Sequence, residues 1–242
     1  MKSIFSKMII IKPVLIHVET SKLLIIWHNK FENNGKIMHL TGKFLLYFLS
    51  FAVAAYAAFV YGVLPLGSTV SPAMKANFIT HSSVIYTHAF ASIVALILGP
   101  FQFSRRLRTK YQKAHRWSGR VYLAVGVLLG GLSGLYLAQF AAGGVIARTG
   151  FTTLAVLWLY TGLCAYLAIR SGAISEHQKW MYRNFALTFA AVTLRIYLPV
   201  TIVSGIEFSL AYAVIAWLCW IPNLLFVEWR FNFKQHSNSQ LI

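Results

Sequence analysis

One charged residue interrupts a long uncharged run. Arg195 lies within ALTFAAVTLRIYLPV (186–200). A guanidinium is always charged and carries five N–H donors, so in apolar surroundings it needs acceptors or an anion. The sequence offers backbone carbonyls freed near Pro199 or Pro222, the amide of Asn223, tyrosine hydroxyls such as that of Tyr197, water, or an anionic ligand. His88 is a second polar residue in an apolar run. It follows His81 by seven positions, and Ser92 follows one turn later, so all three share one helical face. Arg195, His88, Asn223 and Tyr197 are therefore the candidate ligand-binding set. The competing reading of His88 is a packed imidazole bonded to a neighbouring helix.

Two further histidines occur in similar strings, HRWSGRVY (115–122) and HQKWMYR (177–183). His115 and His177 are each followed by cations and a tryptophan. Each precedes an apolar run, so both are expected at one depth. Two imidazoles at one level suit haem iron or a transition metal, with the adjacent cations pairing haem propionates. The alternative is an interfacial cap in which His, Arg and Trp anchor helix ends. His88 has no histidine at its own depth on the later helices, so a four-histidine, two-haem arrangement is not supported.

The elements that must position these residues follow from hydropathy. The chain has 242 residues, of which 58% are hydrophobic and 11% charged. Soluble domains carry about a quarter charged residues. Six runs reach the roughly 20 apolar residues a membrane span requires: about 44–65, 82–103, 118–140, 151–169, 184–204 and 208–228. The expected fold is an all-α bundle of six transmembrane helices. It divides into a basic N-terminal segment (1–43), the bundle (44–230) and a tail (231–242).

Charge orients the bundle. The net charge is +17, and nineteen of the 22 Lys and Arg residues fall in the N-terminal stretch, the second and fourth connections, and the tail. Lys75 and Arg148 lie on the other side, and Arg195 lies within a helix. The positive-inside rule then puts both termini in the cytoplasm and makes the chain a multi-pass inner (plasma) membrane protein. Trp117, Trp180 and Trp229 at the same predicted interface agree. Nucleic acid is excluded as a partner, because almost no stretch forms a soluble scaffold to display a basic face.

Residues 1–37 lack a run long enough to span, being broken by Lys12–Pro13, Glu19 and Lys22. Met38 directly precedes the first span. Either Met38 is the natural start, or a basic segment lies on the anionic inner leaflet. Gly126, Gly130 and Gly134 repeat every four residues in the third span, a pattern that admits a close helix neighbour. That neighbour is an internal helix or a second copy in a homo-oligomer. Pro199 and Pro222 are expected to kink the fifth and sixth spans. Cys164 and Cys219 sit in apolar runs as packing residues.

The strings LGPFQF (98–103), HRWSGRVY, GFTTLAVLWLYTGLCAYLAIR (150–170), HQKWMYRNFALTFAAVTLRIYLP (177–199) and AWLCWIPNLL (216–225) resemble a bacterial membrane-protein family, domain of unknown function 2306. The resemblance covers about residues 44–230 and leaves out the first 37. It implies a polytopic bacterial inner-membrane protein and brings no substrate, cofactor or catalytic residue with it. A looser similarity links the histidines near helix ends to b-type cytochromes of the b561 and ferric-reductase kind.

The leading functional expectation is a bundle that binds a small anionic or redox-active molecule. Its pocket would be built from Arg195, His88 and the inner-leaflet His115 and His177. Against it stand a b-haem oxidoreductase module, a small-molecule transporter, and a non-catalytic membrane scaffold. No G-x-S-x-G elbow, H-E-x-x-H pair, intramembrane carboxylate pair or phosphate loop occurs, which argues against hydrolysis and nucleotide binding.

Overall fold

The computed structural model describes residues 40–239; the N-terminal segment before Leu40, with the Met38 start, lies outside the described residues. Hydrocarbon offers a backbone no hydrogen-bond partner, so apolar runs of this length must satisfy their own peptide groups as helices. Six do so: α1 (Leu40–Gly62), α3 (Ser82–Gln102), α5 (Gln112–Ala138), α6 (Gly144–Arg170), α7 (Ile174–Val203) and α8 (Phe208–Phe231). Two short helices fill connections: α2 (Pro72–Thr80) before α3, and α4 (Arg105–Lys110) before α5. Among the described residues there is no strand. Large apolar side chains such as Leu128, Leu132, Leu163, Leu210 and Val214 remain exposed on the outer helix faces. On spanning helices this is the surface that meets lipid, and the chain is a polytopic membrane protein.

Several helices are longer than hydropathy indicates. α5 starts at Gln112 and α7 at Ile174, so His115 and His177 sit inside the first turns of their helices, not ahead of them. Charged residues lower a hydropathy window but still favour helix. Beyond Phe231 the last helix continues to Ser239.

Helix continues from Ala190 to Val203 with Pro199 inside it. The interruption in α7 is at Phe189, whose carbonyl accepts from both Val192 N at 2.9 Å and Thr193 N at 3.1 Å. A proline removes one donor, but in a bilayer the chain has no better partner than the rest of its helix. In α8 the regular helix does break at Cys219–Trp220, just ahead of Pro222. Within α5, residues Tyr122–Leu129 form a π-helical segment that the sequence did not signal.

The glycine stripe serves an internal contact. A Cβ on Gly126 would stand 2.9 Å from the Ala95 Cβ and 3.1 Å from its Cα, so α5 and α3 meet backbone to backbone. A Cβ on Gly130 would meet the Trp158 ring at 3.1 Å, and one on Gly134 would meet the His88 ring at 3.0 Å. This chain's own α3 and α6 pack against Gly126, Gly130 and Gly134. One connection also depends on glycine. Gly143, with φ 89°, starts α6 where a Cβ would stand 2.7 Å from the Ser209 carbonyl oxygen. Both the left-handed backbone and the close approach exclude a side chain there.

Candidate functional site

A cavity of about 690 Å³ lies among α1, α3, α5, α6, α7 and α8. On α3 its wall runs from His81 to Leu96, and on α7 from Leu187 to Ile202. α2 adds Met74, Asn77 and Phe78, and the α5–α6 connection adds Phe140 and Ala141. The cavity therefore occupies the half of the bundle away from the basic connections. α2 is tied across its mouth: Asn77 Nδ2 donates to the Phe140 carbonyl at 3.0 Å. The His81 ring stacks on Phe140 with centroids 4.1 Å apart and lies 3.2 Å from the Tyr136 hydroxyl.

Arg195 and His88 both line this cavity. Arg195 Nη1 donates to the Ala191 carbonyl one turn back, at 2.9 Å. This is the side toward which a helical Cβ leans. Five N–H groups minus this one leaves four, and among the described residues none of them has a protein acceptor. Tyr56, Tyr61 and Tyr212 are within electrostatic reach of the guanidinium without accepting a hydrogen bond from it. Among the described cavity-lining residues there is no Asp, Glu or Lys, so Arg195 is the single formal charge among them.

His88 Nδ1 lies 2.9 Å from the Gly130 carbonyl oxygen. A carbonyl only accepts, so Nδ1 carries hydrogen, and in the neutral ring Nε2 is left as an acceptor. Gly134 gives this ring its room. The packed-imidazole reading of His88 and the cavity-lining reading thus both hold.

The other expected site residues are elsewhere. Asn223 Nδ2 lies 3.0 Å from Thr193 Oγ1 and 3.0 Å from the Cys219 carbonyl oxygen, and it does not line the cavity. Its amide bridges the break in α8 to α7. Tyr197 is partly buried on α7 and is likewise not a lining residue. His115 and His177 both sit at the basic end, near the starts of α5 and α7. They do not line the cavity, so the expected single pocket joining them to Arg195 and His88 is corrected. The separation is forced by chain direction, because each is near the start of a helix whose far half lines the cavity. His177 Nδ1 donates to the Ala165 carbonyl at 2.8 Å, whereas His115 Nδ1 is buried with no partner. Among the described residues no three His, Cys, Asp or Glu side chains converge as a metal site.

The sequence reading missed the floor of the cavity. Trp158 Nε1 donates to Thr188 Oγ1 at 2.9 Å, and both residues line the space. Tyr122 donates to Asn184 Oδ1 at 2.7 Å and lies 2.9 Å from Thr188 Oγ1. Asn184 Nδ2 donates to the Trp158 carbonyl at 2.8 Å and to Thr161 Oγ1 at 2.9 Å. Tyr122 and Asn184 are both 0% exposed. The one available signal was Asn184 itself, an amide at the head of an apolar run. Also missed was the pair at the basic end: Arg183 Nε and Nη2 donate to Glu228 Oε1 and Oε2 at 2.5 and 2.9 Å. Arg183 also packs over the Trp180 ring at 4.7 Å.

No curated protein and no solved structure matches the chain. A family model described as predicted membrane protein (DUF2306) matches residues 85–230. That match takes in α3 from Ile85, the cavity floor, Arg195 and Glu228. Covering more than half of the sequence, it establishes that the chain belongs to the DUF2306 family of predicted membrane proteins.

Proposed function

We propose that this membrane protein binds a small anionic molecule in the cavity, with Arg195 as its charge anchor. The carrying observation is that Arg195 fronts about 690 Å³ of open space with no carboxylate among the lining residues. A cation within a spanning segment opposes insertion by about 2.5–3.5 kcal/mol on translocon scales. One carbonyl bond compensates part of the guanidinium's lost hydration, and a bound anion would compensate more. The tyrosines around Arg195 supply hydroxyl donors. The size suits a small-molecule site, which usually occupies about 300–1,000 Å³.

The test is thermal stability of purified protein across a panel of small anions: chloride, phosphate, acetate and butyrate. A ligand that binds only the folded state raises stability with concentration. At least one anion class is expected to do so, with the effect lost in Arg195→Met and partly kept in Arg195→Lys. An unchanged response in Arg195→Met would refute the reading.

The same proposal includes orientation. The strong basic bias puts the connections α3–α5 and α6–α7 in the cytoplasm of a bacterial inner membrane, so that the cavity faces the opposite side. Reporter fusions in the α5–α6 connection and after α8 should report opposite compartments.

A second reading rests on the basic end. The His177 bond to the Ala165 carbonyl is the orienting contact that a ligating imidazole commonly has. With His115 nearby, the pair suits one b-type haem. Purified protein from haem-replete cells would then show a Soret band, abolished by His115→Ala or His177→Ala. Colourless protein ends this reading.

A further inference from the structure

We infer that the ligand of the cavity is an elongated amphiphile with a hydrocarbon body and a single carboxylate head. This deepens the anion-binding reading and rests on it. Three features of the cavity carry the class.

The first is charge. Arg195 is the one formal charge among the described lining residues, so a monoanion leaves the occupied site neutral. A dianion would leave a net negative charge in a low-dielectric interior, where unpaired charge is costly. The planar guanidinium fork matches the two oxygens of a carboxylate, and four of its N–H groups are unused.

The second is shape. The lining runs fifteen residue steps along α3, from His81 to Leu96, and fifteen along α7, from Leu187 to Ile202. Each stretch is about 22 Å at 1.5 Å per residue. The lining spans that length around about 690 Å³ of space. Such a space admits an extended chain and is oversized for a compact anion such as phosphate.

The third is the wall. Between the cavity's ends the side chains facing the space are mainly aliphatic or aromatic, among them Leu96, Phe151, Leu154, Leu194 and Leu198. Each buried methylene is worth about 0.8 kcal/mol, so the wall rewards length, and Arg195 alone does not.

Photo-crosslinking tests this. The protein is held in lipid nanodiscs and labelled with a diazirine analogue of dodecanoate. Labelled peptides are mapped, and unlabelled dodecanoate, dodecanol and butyrate compete. The expected result is labelling on the α3 and α7 wall peptides, displaced by dodecanoate at least tenfold better than by dodecanol or butyrate. Arg195→Met should lose at least tenfold in labelling. Leu198→Trp narrows the wall while keeping Arg195. It should lose at least tenfold in dodecanoate labelling while eluting as a single peak at the wild-type volume in size-exclusion chromatography, so a loss is not mistaken for misfolding.

Butyrate competing as well as dodecanoate, with dependence on Arg195 intact, overturns the amphiphile inference and leaves anion binding standing. Dodecanol competing as well as dodecanoate overturns both. Labelling confined to lipid-facing peptides overturns the inference too, while the anion panel still decides the reading beneath it.

Discussion

The Thr188 hydroxyl lies 2.9 Å from the phenol oxygen of Tyr122 and 3.1 Å from the Asn184 carbonyl oxygen, to which it donates. The Tyr122 hydroxyl in turn donates to Asn184 Oδ1. Trp158 donates to Thr188, and Asn184 donates back to the Trp158 carbonyl. The four residues thus form a closed ring of polar contacts. It ties α5, α6 and α7 together beneath the cavity. A fully satisfied buried network fixes one geometry, whereas a broken one strands polar groups without water.

Tyr122→Phe should therefore lower stability by about 1–2 kcal/mol, since it removes the phenol's contacts with both Asn184 and Thr188 and leaves Asn184 Oδ1 without that donor. Thr188→Val should cost a similar amount. The double variant should cost less than the sum, because the two changes break the same ring. Thermal or detergent-induced unfolding of the purified variants measures this. Strict additivity would mean that the ring does not act as a unit.

Gly126→Ala should destabilise by about 1–3 kcal/mol, the usual cost of forcing extra volume into a packed core. Its Cβ would meet Ala95 Cβ at 2.9 Å and Cα at 3.1 Å, and backbone cannot swing aside. Gly62→Ala is the control: nothing stands within 4 Å of its Cβ. That variant should unfold at an unchanged or slightly higher temperature.

Arg183 and Glu228 should show a coupling of about 1 kcal/mol or less in a double-mutant cycle of Arg183→Met and Glu228→Gln. The geometry is two-pronged, but the side chains are 21% and 37% exposed, so solvent and salt weaken the pair. Raising ionic strength should shrink the coupling. The swap Arg183→Glu with Glu228→Arg should recover part of the loss seen in either single change.

Glu207 predicts a pH dependence. Its carboxylate accepts from Ser209 N and Leu210 N at 2.9 Å each, capping the start of α8. These backbone bonds hold its carboxyl below the ordinary value of 4.5. The unfolded chain therefore takes up the proton first. The cap's contribution is complete above about pH 4.5 and falls away as pH drops through the lower, folded value. Glu207→Gln should flatten that part of the stability profile between pH 3 and 5, measured by thermal unfolding, by lowering stability near pH 7 while leaving the acid end unchanged.

Most of the architecture was legible from the chain alone, for a physical reason. A bilayer allows a long apolar segment essentially one local structure, so counting apolar residues amounts to counting helices. The six spans, the glycine stripe as a packing face and the isolation of Arg195 all follow from the identities of adjacent residues. Helix ends were misjudged because hydropathy measures solubility in lipid, while helix persists into charged turns such as those around His115 and His177.

What tertiary structure alone decided is which side chains share a space. Arg195 and His88 are over a hundred positions apart and meet in one cavity. His115 and His177 are turned to the other end of the bundle by the direction of their helices. Thr188, Tyr122, Trp158 and Asn184 look ordinary in sequence, since a hydroxyl, an indole or an amide in an apolar run has no stated partner. Their ring exists only because three helices pack at one register, and no local pattern encodes the distance between atoms on different helices.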